Sequence, residues 1–207
     1  LHDYDGAKYY MWDAKQTYWA GHSSSQPKTN LGSSEDYAQD NMDSRWYHEG
    51  SGAFQATHTS CKDLPNVNEM TWYAAAGDPR WDADELWTTM GHLYKGGMWF
   101  KKKVNISGYD ANTAVDGTDW RTNANGNNWS VSNTLPDAAD AGNYFYLPTL
   151  GFYYFGRLRN VGSVGVYWLS SAYPSGSSYA YYLSFYSGNV NVQSNYRYNG
   201  YRAEAFQ

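Results

Sequence analysis

From Asn143 onward the chain runs in short aromatic pieces cut apart by Gly and Asn: YFYLPTLGFYYFGRLRN, VGVYWLSSAY, YAYYLSFYSGNVNV and NGYRAEAF. Aromatic and β-branched runs bounded by turn formers read as short strands. In YYLSFYSG, side chains alternate between faces. Leu183 and Phe185 then share one face, expected to be core. Tyr182, Ser184 and Tyr186 share the other, expected to be displayed. Between Tyr179 and Tyr201 only Arg197 carries a charge. Aromatic residues make up 19% of the chain, with ten Trp and 22 Tyr beside 20 Gly. Such a chain can bury its rings in a strand-rich core or display them.

The first 60 residues mix aromatic-polar pieces such as YYMWDAKQTYWAG with a Ser/Gly/Asn loop, and SSEDYAQDNM predicts a short helix capped by Ser34. LPNVNEMTWYAAAG carries the clearest helix signal. Asn66 is a good N-cap and Glu69 follows three residues later, as a capping box requires. Val67, Met70, Tyr73 and Ala74 share a face, and Gly77 supplies the stop. DADELWTTMG predicts a second helix, started by Asp82 or Asp84 and ended by Gly91. GGMWFKKKVNIS follows as a strand. Residues 108–146 form an Asn/Asp/Gly-rich insert, with Trp120 and Trp129 as expected anchors. The class is α+β: one domain over 1–207 of short strands and two or more helices with long loop-rich inserts.

A net charge of −5 argues against nucleic acid as a partner, because phosphate contact needs a basic face. The one basic run, Lys101–Lys103, reads as a solvated strand end. One cysteine, Cys61, excludes a disulfide framework, and no basic neighbour activates it, so a buried thiol is expected. No apolar stretch approaches the ~20 residues that span a bilayer, so no direct membrane insertion is expected. The chain begins at Leu1 without a signal peptide, which predicts a domain cut from a longer protein or a processed chain. The five histidines, His2, His22, His48, His58 and His92, fit no zinc-ligand spacing. No GxSxG, Walker loop or GxGxxG occurs. Asp110, Asp116 and Asp119 could hold calcium, but their spacing is not that of an EF-hand and Asx-rich turns need no metal. The expectation is no cofactor. The sequons at Asn105 and Asn128 matter only on a eukaryotic secretory route.

Two stretches carry a resemblance. LPNVNEMTWYAAAG is similar to the helix of the formylglycine-generating-enzyme variety of the C-type lectin fold: Pro65, Glu69, Ala74, Ala75 and Gly77 match in order, and Trp72 stands at the usual Tyr position. The C-terminal framework resembles the variable proteins of diversity-generating retroelements. It comprises Leu147, Pro148 and Gly151, the VG-x-x-G-x-YW-x-SS run from Val161 to Ser171, the A-x-x-L-x-F-x-SG-x-V run from Ala180 to Val190, and the closing Asn199-Gly200-Tyr201. Together they cover roughly residues 62–207. The resemblance implies a C-type lectin fold and a ligand-binding, receptor-recognition domain rather than an enzyme. No cysteine follows Cys61, so the late cysteine pair of the oxidase branch is missing. The calcium-binding motifs of sugar-binding relatives are missing too. The alternative on the same scaffold is an enzyme or a calcium-dependent carbohydrate-binding domain. Glu204 stands where many relatives carry a basic residue.

In that family adenines of a template are randomised during reverse transcription, and many randomised codons are AAC-like. NNC codons cannot encode Met, Trp, Gln, Lys or Glu. Residues 1–151 hold thirty of those five types; residues 152–203 hold two, Trp168 and Gln193. The chain's own composition would place about ten there. The segment 152–203 is therefore the expected variable region.

Tyr offers large amphipathic contact area at low entropic cost, with Ser and Asn adding adaptable hydrogen bonds and Arg a hot-spot cation. The residues expected on the displayed face are Tyr153, Tyr154, Phe155, Arg157, Arg159, Val164, Val166, Tyr173, Ser175, Ser177, Tyr182, Ser184, Tyr186, Ser194, Tyr196, Tyr198 and Tyr201. The expected framework is Leu147, Pro148, Gly151, Gly162, Gly165, Trp168, Leu183, Phe185, Gly188 and Val190, with Tyr144 and Tyr167 in the core. Tyr181 stays open: alternation groups it with Leu183, while the family pattern leaves it variable. The implied partner is a variable protein ligand on a host or neighbouring cell, met from a virion surface (a phage tail) or a bacterial cell surface. The resemblance leaves room for a homo-oligomer.

Overall fold

The computed structural model describes residues 1–22, 28–29, 37–38, 40, 42–46 and 54–206. Among them it is a mixed α and β structure with one α-helix, α1 (Val67–Ala76), and mostly strands in curled sheets. The strands in chain order are β1 (His2–Tyr4), β2 (Tyr9–Tyr10), β3 (Arg80–Thr89), β4 (His92–Lys101), β5 (Asn127–Trp129), β6 (Tyr144–Pro148), β7 (Phe152–Tyr154), β8 (Arg157–Arg159), β9 (Gly165–Ala172), β10 (Tyr179–Tyr186), β11 (Asn189–Tyr196) and β12 (Tyr201–Arg202). One sheet runs β1-β3-β4-β6, a second β2-β12-β9-β10-β11-β5, and β7-β8 is a separate hairpin. No helix among the described residues is long and apolar enough to cross a membrane. The helix expected over 33–42 falls largely outside the described residues.

Helix α1 forms as its sequence predicts. The Asn66 side chain accepts the Glu69 N–H at 2.9 Å, and Glu69 Oε2 accepts the Asn66 N–H at 2.7 Å. Both orphan donors of the first turn are thus met locally. Val67, Met70, Tyr73 and Ala74 pack into a core with Met98, Phe100, Leu183 and Phe185.

The second expected helix is a correction: DADELWTTMG lies in β3 and its turn. The Asp82 side chain does accept two following N–H groups, of Asp84 and Glu85, but it caps a bulge in the strand, not a helix. Thr89 pairs with His92 across a two-residue loop, and Met90 and Gly91 both have positive φ. That is the geometry of a type I′ hairpin, which a Gly serves as well as it serves a helix end. Trp87 and Thr89 alternate inward and are buried.

The insert is held down at defined points. Trp120 is buried; its backbone N–H goes to Asn68 Oδ1 of α1 and its indole N–H to Asp116. Asp119 accepts from Asn68 and from the Arg121 guanidinium, which holds its carboxyl down at about 2. Trp129 is half-buried against the core, and β5 pairs with the edge of β11. Asp116 and Asp119 are thus engaged by protein donors, and no group of three or more His, Cys, Asp or Glu among the described residues is placed to hold a metal.

Strand β9 is buried along all eight residues. Tyr167 and Leu169 face the core beneath α1, while Val166 and Trp168 face a second core with Trp12, Cys61 and Tyr201. Cys61 is fully buried and burial pushes its thiol up to about 12, so it stays protonated and unreactive at neutral pH.

Buried tyrosines make a pH prediction. Burial pushes Tyr9 and Tyr181 up to about 12, and their hydroxyls donate to the carbonyls of Leu150 and Trp120. An unfolded tyrosine ionises near 10, so the folded state keeps these protons longer. Their contribution is complete below pH ~10 and lost between ~10 and ~12, at up to about 1.4 kcal/mol per pH unit each. Urea unfolding should give a flat stability from pH 7 to 9 and a steep fall above 10. Tyr181→Phe should be shallower by one such increment; an unchanged slope would place that hydroxyl in water.

Candidate functional site

The displayed surface is built by β7-β8, β10, β11 and the turns around them. Positions 155 and 156 connect β7 to β8, and Tyr154 pairs with Arg157. Phe155 (φ 47°) and Gly156 (φ 75°) make a tight turn with two left-handed residues. Asn or Gly suits the first of these; a bulky Phe is strained there. Its ring is 37% exposed and lies 4.4 Å from Tyr154 and 5.9 Å from Tyr198.

From Phe155 a strip of rings crosses the molecule. Tyr198 stacks on Tyr196 at 4.9 Å, Tyr196 meets Tyr179 at 4.6 Å, and Tyr179 meets Tyr173 at 6.3 Å. Tyr196 is 38% exposed and Tyr186, further along β10, 47%. Ser175 and Ser177 are exposed in the β9–β10 connection.

Beside this strip lies a cleft of about 330 Å³. Its aromatic walls are Phe152, Tyr154, Tyr182 and Tyr201, and Val164 and Val166 add aliphatic surface. Ser184, Asn195 and Asn199 supply polar groups, and Arg159 stands at the rim, exposed, 5.7 Å over the Tyr154 ring. The volume is at the small end of the range for ligand sites. Burial raises the pKa of Tyr182 and Tyr201, so both are neutral phenols at physiological pH. Among the described residues, the cleft lining contains no carboxylate, imidazole or thiol. It can stack, exclude water and hydrogen-bond.

Three residues expected on display are buried. Tyr153 is 0% exposed, in contact with Tyr9, Tyr18 and Trp19. Alternation in β7 sends Phe152 and Tyr154 outward and Tyr153 inward. Val166 is buried because β9 is a central strand covered on both faces, and only the cleft floor reaches it. Tyr201 is buried 4.2 Å from Trp168 and closes the cleft from below. Ser194 pairs with Tyr181 and shares its face, not that of Tyr182. Tyr181 itself is core. Tyr173 and Tyr198 are half-buried at the strip, Arg157 is exposed, and Tyr144 and Tyr167 are core as expected.

Among the expected framework, Leu147, Trp168, Leu183, Phe185 and Val190 are buried. Gly151 has φ 65° and its Cα faces the Arg159 carbonyl, so a side chain there would collide with the β8 end. Gly188 is exposed in the β10–β11 turn.

Sequence reasoning missed Phe152, Asn195 and Asn199 in the cleft. Phe152 was recoverable from its two-residue spacing to Tyr154. Asn195 and Asn199 carry no signal in their spacing, since only folding brings them to β7. In comparisons with family models, with curated proteins and with solved structures, nothing matches this chain.

Proposed function

We propose that the chain is a non-enzymatic recognition module of the C-type lectin fold, and that its surface between 152 and 203 is one member of a set diversified by a retroelement. Its partners are variable protein ligands on a host or neighbouring cell, met from a virion or bacterial cell surface.

One observation carries this reading. Every residue of the cleft and of the strip from Tyr154 to Tyr173 is of a type an NNC codon encodes. Of the two exceptions in the segment, one lies beneath that surface and one at its edge. Trp168 is fully buried, with its indole N–H on the Tyr10 carbonyl. Gln193 opposes Tyr182 and shares its face, half-buried at the edge against Gly126 of the insert. A surface that merely avoided long charged side chains would not also lack Met and keep its one Trp beneath it. The neutral phenols and the guanidinium of the cleft suit contact rather than acid–base chemistry.

The locus tests diversification. A reverse transcriptase gene should lie nearby, with a near-identical repeat of the segment encoding 152–203. Mismatches should fall at template adenines; a locus without such a repeat overturns the reading. At the protein level, Tyr154, Tyr186, Tyr196 and Tyr198 changed together to Ser should leave Tm within about 5 °C, because each keeps at least part of its ring in water. Binding to any selected ligand should fall at least ten-fold. Global unfolding of that variant would mean the strip is core.

A further inference from the structure

Charge is sorted on this molecule. Between 144 and 203 the four arginines are the only charged residues, so this segment carries +4 and the rest of the chain −9, which gives the net −5. Two of the four, Arg197 and Arg202, are buried. Arg197 sits between Trp12 and Phe54, and Arg202 is paired with Glu204. The cations left on the surface are Arg157 and Arg159, both on the β7-β8 hairpin. Neither has an ion-pair partner among the described residues. Arg159 lines the cleft, which contains no acid among the described residues. A partner therefore meets apolar aromatic walls with a guanidinium at their edge.

We propose that the cleft takes an apolar or aromatic side chain of a partner protein, with an adjacent Asp or Glu of that partner paired to Arg159. This rests on the reading of the surface as a binding face and adds the chemistry of its ligand. The walls favour insertion of a flat or branched side chain, and the cleft volume suits one anchoring residue. A planar guanidinium bonds a carboxylate through two parallel N–H donors, and it remains free to do so while lying over the Tyr154 ring.

A random twelve-residue peptide library displayed on yeast tests this. Selection is on the protein, and counter-selection is on Ser184→Phe, which fills the cleft from a half-buried position; the fold of each variant is checked by circular dichroism. Enriched peptides should carry Asp or Glu within two positions of Phe, Tyr, Trp or Leu. Changing that acid to its amide should weaken binding at least ten-fold on the native protein. On Arg159→Gln the same change should make less than a two-fold difference. Cleft-dependent peptides without an acid, or an acid effect that persists in Arg159→Gln, overturn the carboxylate pairing and leave the binding face standing. Cleft-dependent binding on a glycan array, without peptide enrichment, overturns the protein-segment occupant. No cleft-dependent ligand of either kind overturns both.

Discussion

Tyr153→Ser should lower the unfolding free energy by about 3–5 kcal/mol, whereas Tyr154→Ser, one residue on, should cost about 1 kcal/mol or less. Tyr153 is enclosed by the rings of Tyr9, Tyr18 and Trp19 at 5.0, 5.1 and 5.5 Å. Its backbone exchanges two hydrogen bonds with Gly200, so the site cannot collapse around a lost ring. For a chain of this size the penalty corresponds to a Tm drop of about 6–20 °C. Tyr154 is half-buried and turned toward the cleft. Thermal unfolding of the two variants decides between them. Equal losses would mean that β7 is read one residue out of register and that the cleft wall is misassigned. Within FYYF, position 153 should therefore tolerate substitution far less than position 154.

Glu204→Ala should cost about 3–5 kcal/mol, because it strands a buried cation. The Arg202 side chain is 1% exposed, and its Nε–H donates to Glu204 at 2.9 Å. Its other contacts are the Asp5 carbonyl at 2.6 Å and the Tyr9 ring at 4.9 Å, and neither cancels a full charge. Arg202 belongs to β12, which joins β2 to β9. Its neighbour Tyr201 closes the cleft floor. The loss should therefore reach ligand binding as well as stability. The double variant Arg202→Leu with Glu204→Ala should regain most of the stability, since removing both charges removes the penalty. Urea denaturation of the single and double variants is the measurement. A harmless Glu204→Ala would mean the guanidinium reaches water. The acid at 204 is explained by this pair.

Local chemistry was legible and remote packing was not. Helix α1 could be read in full because its cap joins Asn66 to Glu69, three residues apart. The opposite faces of β10 could be read because Leu183 and Phe185 alternate with Tyr182 and Ser184 in a strand with one covered side. β3 looks like a helix in sequence because Asp82 caps a bulge and Gly91 makes a hairpin turn, the same roles these residue types play at helix ends. Only its partner β4 selects between them.

The sequence by itself determined the material of the surface: Tyr, Ser, Asn and Arg without acids between 144 and 203, the helix that braces it, and the alternation that turns half of β10 outward. The tertiary structure decided which of those tyrosines meet solvent. Tyr153 is covered by Tyr9, Tyr18 and Trp19, more than 130 residues earlier in the chain, and Tyr201 by Trp168 of a strand buried on both faces. Alternation fixes that two neighbours point opposite ways. Whether the second face is also covered depends on residues that only folding brings near, and the cleft exists where that cover stops.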